Sequence, residues 1–80
     1  MNLQLIQGQF STKDAVDILT QMVNVKIKFH ESKINNVNNE EDIKMREQRI
    51  KQLQKHLHEC RSYIENQGGM ITIAGELSFN

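Results

Sequence analysis

STKDAVDILTQMVNVKIKFHESKI, residues Ser11 to Ile34, carries more apolar surface than one partner helix can cover, and the rest of the chain reads as a response to that excess. Placed at about 100° per residue, Ala15, Val16, Ile18, Leu19, Met22, Val23, Val25, Ile27, Phe29 and Ile34 share an arc of roughly 200°. Lys13, Asp14, Asp17, Thr20, Gln21, Asn24, Lys28 and Glu31 fill the other side. A strand competes over Val23 to Phe29, where apolar and polar residues alternate and β-branched residues are common. That reading needs a turn near Met22, where no turn residue stands, so the stretch predicts one continuous helix.

Moving outward, Ser11 offers a cap: its hydroxyl can accept from the third helical amide, and Asp14 and Asp17 place negative charge near the positive helix end. Before it, Leu3, Leu5 and Gln7 alternate with Gln4 and Ile6, which predicts a short strand ended by Gly8. After it, Asn35-Asn36-Val37-Asn38-Asn39 predicts a turn, because asparagine competes for backbone hydrogen bonds and tolerates left-handed geometry. Asn39 can cap a second helix whose first turn, Glu40-Glu41-Asp42, is acidic. From Glu40 to about Asn66 a narrow seam recurs: Ile43, Ile50, Leu57 and Ile64 every seven residues, with Arg46, Leu53 and Cys60 between them. Gly68-Gly69 stops that helix, Met70 to Ala74 predicts a strand, and Gly75 permits a bend before Leu77-Ser78-Phe79.

These elements predict a mainly α single domain over residues 1–80: a long antiparallel two-helix hairpin with short terminal strands that pair at its base. A hairpin closed near Val37 opposes residues whose numbers add to about 75, so Val25 meets Ile50, Met22 meets Leu53, Ile18 meets Leu57, Ala15 meets Cys60 and Phe29 meets Arg46. Phe29 then gives the charged seam residue a ring to stack on. Val16, Leu19, Val23 and Ile27 remain on the other flank. Burying an aliphatic side chain is worth about 1.5–3 kcal/mol against a total stability of about 5–15 kcal/mol, so this flank calls for a cover. The expected cover is the terminal strands or a second copy, giving a homodimer whose interface includes Val16, Leu19, Val23 and Ile27.

Composition narrows the function classes. An 80-residue chain has a thin core. Its ten basic and ten acidic residues give no net charge, which argues against a whole-molecule field for nucleic acid or anionic membrane. Cys60 is the sole cysteine, so no intrachain disulfide forms, and the cytoplasm is the expected compartment. The first residues lack the basic start and apolar core of a signal peptide, and no run approaches a membrane span.

Few residues invite chemistry. His56 and Cys60 share a helical face while His58 points away, and too few further ligands exist for a structural zinc site, so neither metal nor cofactor is expected. Cys60 reads instead as a small core residue. No base is positioned for a nucleophile, and Gly68-Gly69 lacks phosphate-loop context, so the chain reads as a non-enzyme. Lys44, Lys51 and Lys55 lie on one side of the second helix, a basic surface that could track phosphates. Lys26, His30 and Lys33 recur along the first helix and suit either an acidic partner or snorkelling over apolar surface. The expected function is therefore a small self-associating interaction or scaffold module, with protein partners open. Its alternative is a nucleic-acid-associated accessory protein using the lysine row.

Overall fold

A computed structural model describes residues 1–35 and 39–80. Four elements follow in order: strand β1 (Asn2–Ser11), helix α1 (Thr12–Asn35), helix α2 (Glu40–Gln67) and strand β2 (Met70–Ser78). The expected helical hairpin with paired terminal strands is the fold. Val23 to Phe29 lies wholly within α1, which disposes of the strand alternative. The asparagine turn at 36–38, with the closure point near Val37, lies outside the described residues.

Local chemistry sets the helix starts. Ser11 Oγ accepts from Asp14 N at 3.1 Å, the third amide of α1. Asn39 Oδ1 accepts from Glu41 N at 2.9 Å and from Asp42 N at 3.4 Å. Each bond satisfies amides that a helix start otherwise leaves unpaired. At the far end of α2, Gly68 and Gly69 adopt φ of 67° and 70°, which lets the chain leave the helix and enter β2 within two residues. Thr12 Oγ1 donates to Gly69 O at 3.1 Å and fastens this turn to the start of α1.

The strands are longer than expected. β1 runs through Gly8 and β2 through Gly75, so neither glycine ends its strand, and Gly75 sits beside the irregularity of the ladder. They pair antiparallel from Ser11↔Met70 to Asn2↔Ser78, with one irregularity between Gln4 and Ile6. Leu5 is the extra residue there. An inserted residue shifts the side-chain phase, so Leu3, opposite Leu77, lies on the same face as Ile6, opposite Gly75. Uninterrupted alternation would have set Leu3 and Ile6 on opposite faces. One face of the ribbon, bearing Ile6, Phe10, Ile71 and Ile73, turns toward the helices and is half-buried.

The division of α1 between its two apolar flanks differs from the expected one beyond its first turns, where Ala15 is buried and Ile18 half-buried. Val16, Leu19, Thr20, Val23, Ile27, His30 and Ile34 are half-buried, whereas Met22, Val25 and Phe29, assigned above to the hairpin, are 39%, 71% and 54% exposed. Toward the tip, among the described residues, α2 is the element that lies against α1, so the half-buried set marks the hairpin face. His30 Nδ1 lies 3.0 Å from Arg46 Nη1, a pair whose numbers add to 76, and this fixes the antiparallel register. The seam of α1 is therefore Val16-Thr20-Val23-Ile27-His30-Ile34, spaced alternately by four and three residues. The physical reason is polarity inside the seam: Thr20 and His30 occupy two of its six positions, so the stripe Ile18-Met22-Val25-Phe29 is the more apolar one although its members Met22, Val25 and Phe29 are exposed. On α2 the expected seam holds at Ile43, Arg46, Ile50, Leu53, Leu57 and Ile64, while Cys60 is exposed rather than a core residue.

Candidate association surface

Ile18, Met22, Val25 and Phe29 form a row along α1, roughly 150° round the helix from its seam. At the strand end the row enters a groove of about 500 Å³ whose other wall is the inner face of the ribbon, with Ile6, Ile71 and Ile73 opposite Ile18, Met22 and Ile64. Tyr63, 64% exposed, and Cys60 close the α2 side. Among the described residues, Glu59 is the sole charged one lining this groove.

Toward the tip the same row passes between cations. Arg46 Cζ lies 5.9 Å and Lys33 Nζ 5.6 Å from the centre of the Phe29 ring, so the expected meeting of Phe29 with Arg46 is present, as a cation–π contact at the surface. His30 packs edge-on against Phe29 at 5.6 Å. Arg46 is a permanent donor, so its bond to Nδ1 requires an imidazole whose proton sits on Nε2. Desolvation in the seam, then the positive charges of Arg46, Arg49 and Lys26, hold the His30 pKa below its usual 6.5. A cavity of about 250 Å³ beside it is lined by His30, Asp42, Met45, Arg46 and Arg49.

The chain exposes more surface than its size requires. Its accessible surface is 6430 Å², against roughly 5,000 Å² for a compact monomer of 9.3 kDa. Its radius of gyration is 15.1 Å, against roughly 12 Å for 80 packed residues. Among the described residues only Ala15 and Ile64 are buried hydrophobic side chains. Leu3, Leu5, Met45 and Leu77 add to the exposed apolar area.

No family model, curated protein or solved structure matches this chain.

The sites predicted from sequence fall as follows. Val16, Leu19, Val23 and Ile27 are half-buried along the hairpin, and of the four Leu19 lines the groove. Lys44, Lys51 and Lys55 are exposed on the outer side of α2, with Lys44 and Lys51 sharing a shallow depression with Glu47 and Gln48. His56, His58 and Cys60 are exposed, and among the described residues no three His, Cys, Asp or Glu side chains stand close enough to hold a metal ion. No described helix is long and apolar enough to cross a membrane. The outward stripe was visible in the sequence as the most regular apolar row of α1. Its regularity pointed toward the hairpin rather than away from it.

Proposed function

We propose that this protein is a non-catalytic association module whose first partner is a second copy of itself. The observation that carries the reading is the exposed apolar row Met22, Val25 and Phe29 beside a core of two buried hydrophobic side chains among the described residues. The total accessible surface exceeds that of a compact monomer by about 1,400 Å², more than the roughly 800 Å² per partner that a standard interface buries. A groove walled by strand and helix side chains, continuous with the Ile18-Met22-Val25-Phe29 row, gives that surface a defined shape. The interface expected on Val16, Leu19, Val23 and Ile27 moves to this outward row, because the hairpin already covers those four. With the sole thiol, Cys60, exposed, a reducing compartment such as the cytoplasm is the setting in which the chain stays uncrosslinked. A homodimer also supplies a scaffold on which further protein partners can bind.

A second reading keeps the exposed row of Lys44, Lys51 and Lys55 as a nucleic-acid surface. Sedimentation equilibrium across a wide concentration range tests the first reading, with a dimer expected and a stable monomer throughout counting against it. Fluorescence anisotropy with labelled DNA and RNA at rising salt tests the second, which requires binding that weakens steeply with salt.

A further inference from the structure

The charge of the chain is zero only in sum. Residues 24–53, the tip half of the hairpin, hold seven Lys or Arg against five Asp or Glu, while the remaining residues hold three against five. The molecule is thus about two charges positive over its tip half and two negative over its base. The association face has the same polarity. Its tip end carries Lys33 and Arg46 on the Phe29 ring, with Arg49 lining the adjoining cavity beside a single acid, Asp42. At the base end the charged residue in the groove is Glu59.

We infer that two copies associate antiparallel, the basic tip of each hairpin lying along the acidic base groove of the other. This rests on the self-association just proposed and adds its orientation and occupant. A parallel pair would set tip against tip and base against base, placing like charges together at both ends. An antiparallel pair sets opposite charges together at both ends, and a two-fold axis through the middle of the Ile18–Phe29 row uses the same patch on each copy. Val25 and Phe29 of one chain, exposed at the tip, then run into the groove beside Ile18, Met22 and Tyr63 of the other. The groove, at about 500 Å³, is large enough for several such side chains. The register set by His30 and Arg46 places Met45 level with residue 31 of α1 and Cys60 level with residue 16. Those levels lie about 11 Å to either side of the midpoint between Met22 and Val25. On α2 both residues fall on the flank bordering this face, so the two-fold axis brings Met45 of one copy beside Cys60 of the other.

The native chain, with Cys60 alone, is mixed with a Met45→Cys/Cys60→Ser variant and treated with a short bismaleimide after sedimentation has measured the dimer population of each. The inference expects a dominant crosslink between Cys60 and the cysteine introduced at position 45, weak crosslinking of either chain with itself, and a dissociation constant that rises several-fold between low and high salt. A dimer that crosslinks mainly Cys60 to Cys60 overturns the antiparallel orientation and leaves self-association standing. A monomer at every concentration, in both native and variant chains, overturns both. Arg49→Glu is expected to weaken the dimer several-fold and Arg49→Glu with Glu59→Arg to recover it, while a dimer indifferent to both changes counts against the charge pairing.

Discussion

Replacing Val25 and Phe29 together by serine separates a surface that meets a partner from one that meets water. Val25 is 71% and Phe29 54% exposed in the isolated chain. If each completes its burial on association, those fractions of a full side-chain transfer, about 1.5–3 kcal/mol apiece, leave about 2–4 kcal/mol per chain to be gained. Both copies contribute, so the dimer stands to lose about 4–8 kcal/mol, an upper estimate because ordering and imperfect pairing offset part of the gain. Even half of the lower figure corresponds to more than a tenfold rise in dissociation constant. In a monomer the same substitutions remove only the fractions already covered and the cation–π contacts of Phe29, and should lower stability by about 1–2 kcal/mol in all. The expected outcome is a variant that stays helical by circular dichroism but sediments as a monomer at concentrations where the native chain is dimeric. The reasoning is refuted if the double variant dimerises with unchanged affinity, or if it unfolds while native and variant chains are both monomeric.

Other changes probe the hairpin. Thr20 Oγ1 is buried in the seam without a hydrogen-bond partner, so Thr20→Val, which keeps the shape and removes the stranded hydroxyl, should raise the free energy of urea unfolding by about 1 kcal/mol. Asn39→Ala removes the bonds to the amides of Glu41 and Asp42 and should lower stability by about 1 kcal/mol, with Ser11→Ala similar for α1; thermal melts of the three proteins give the comparison. His30 titrates below its usual 6.5 in the folded chain because burial and the neighbouring cations disfavour its charged form. The unfolded chain therefore binds the proton first as pH falls. The contribution of His30 is complete above pH 6.5 and is lost progressively between that value and the lowered folded pKa. Nuclear magnetic resonance titration of the three histidines, with urea melts from pH 8 to 5, should find this dependence and find it abolished in His30→Phe.

Most of the fold could be read from local patterns. Both helix starts depend on a side chain within three residues of the amides it caps, Ser11 to Asp14 and Asn39 to Glu41 and Asp42, and such bonds follow from the order of residues alone. The exit from α2 follows from two adjacent glycines that accept positive φ. The α2 seam was also legible, because that helix has a single apolar row and therefore a single way to bury it. Two features misled. Gly8 looks like a strand end and Gly75 like a break before a separate segment, yet both sit inside one pairing ladder. The extra residue at Leu5 has no signature of its own, since a phase shift is visible only when Leu3 and Ile6 are both matched to partners on β2.

By itself, then, the sequence determined the four elements, their order, the antiparallel hairpin and the presence of an apolar excess on residues Ser11 to Ile34, because periodicity and capping are properties of neighbouring residues. Only the tertiary structure decided which part of that excess is left over. Two rows on α1 are both apolar enough to serve, and the choice between them is a rotation of the helix about its own axis. That rotation goes with contacts across the fold, among them the bond between His30 and Arg46, which half-bury a seam containing threonine and histidine and leave Met22, Val25 and Phe29 exposed.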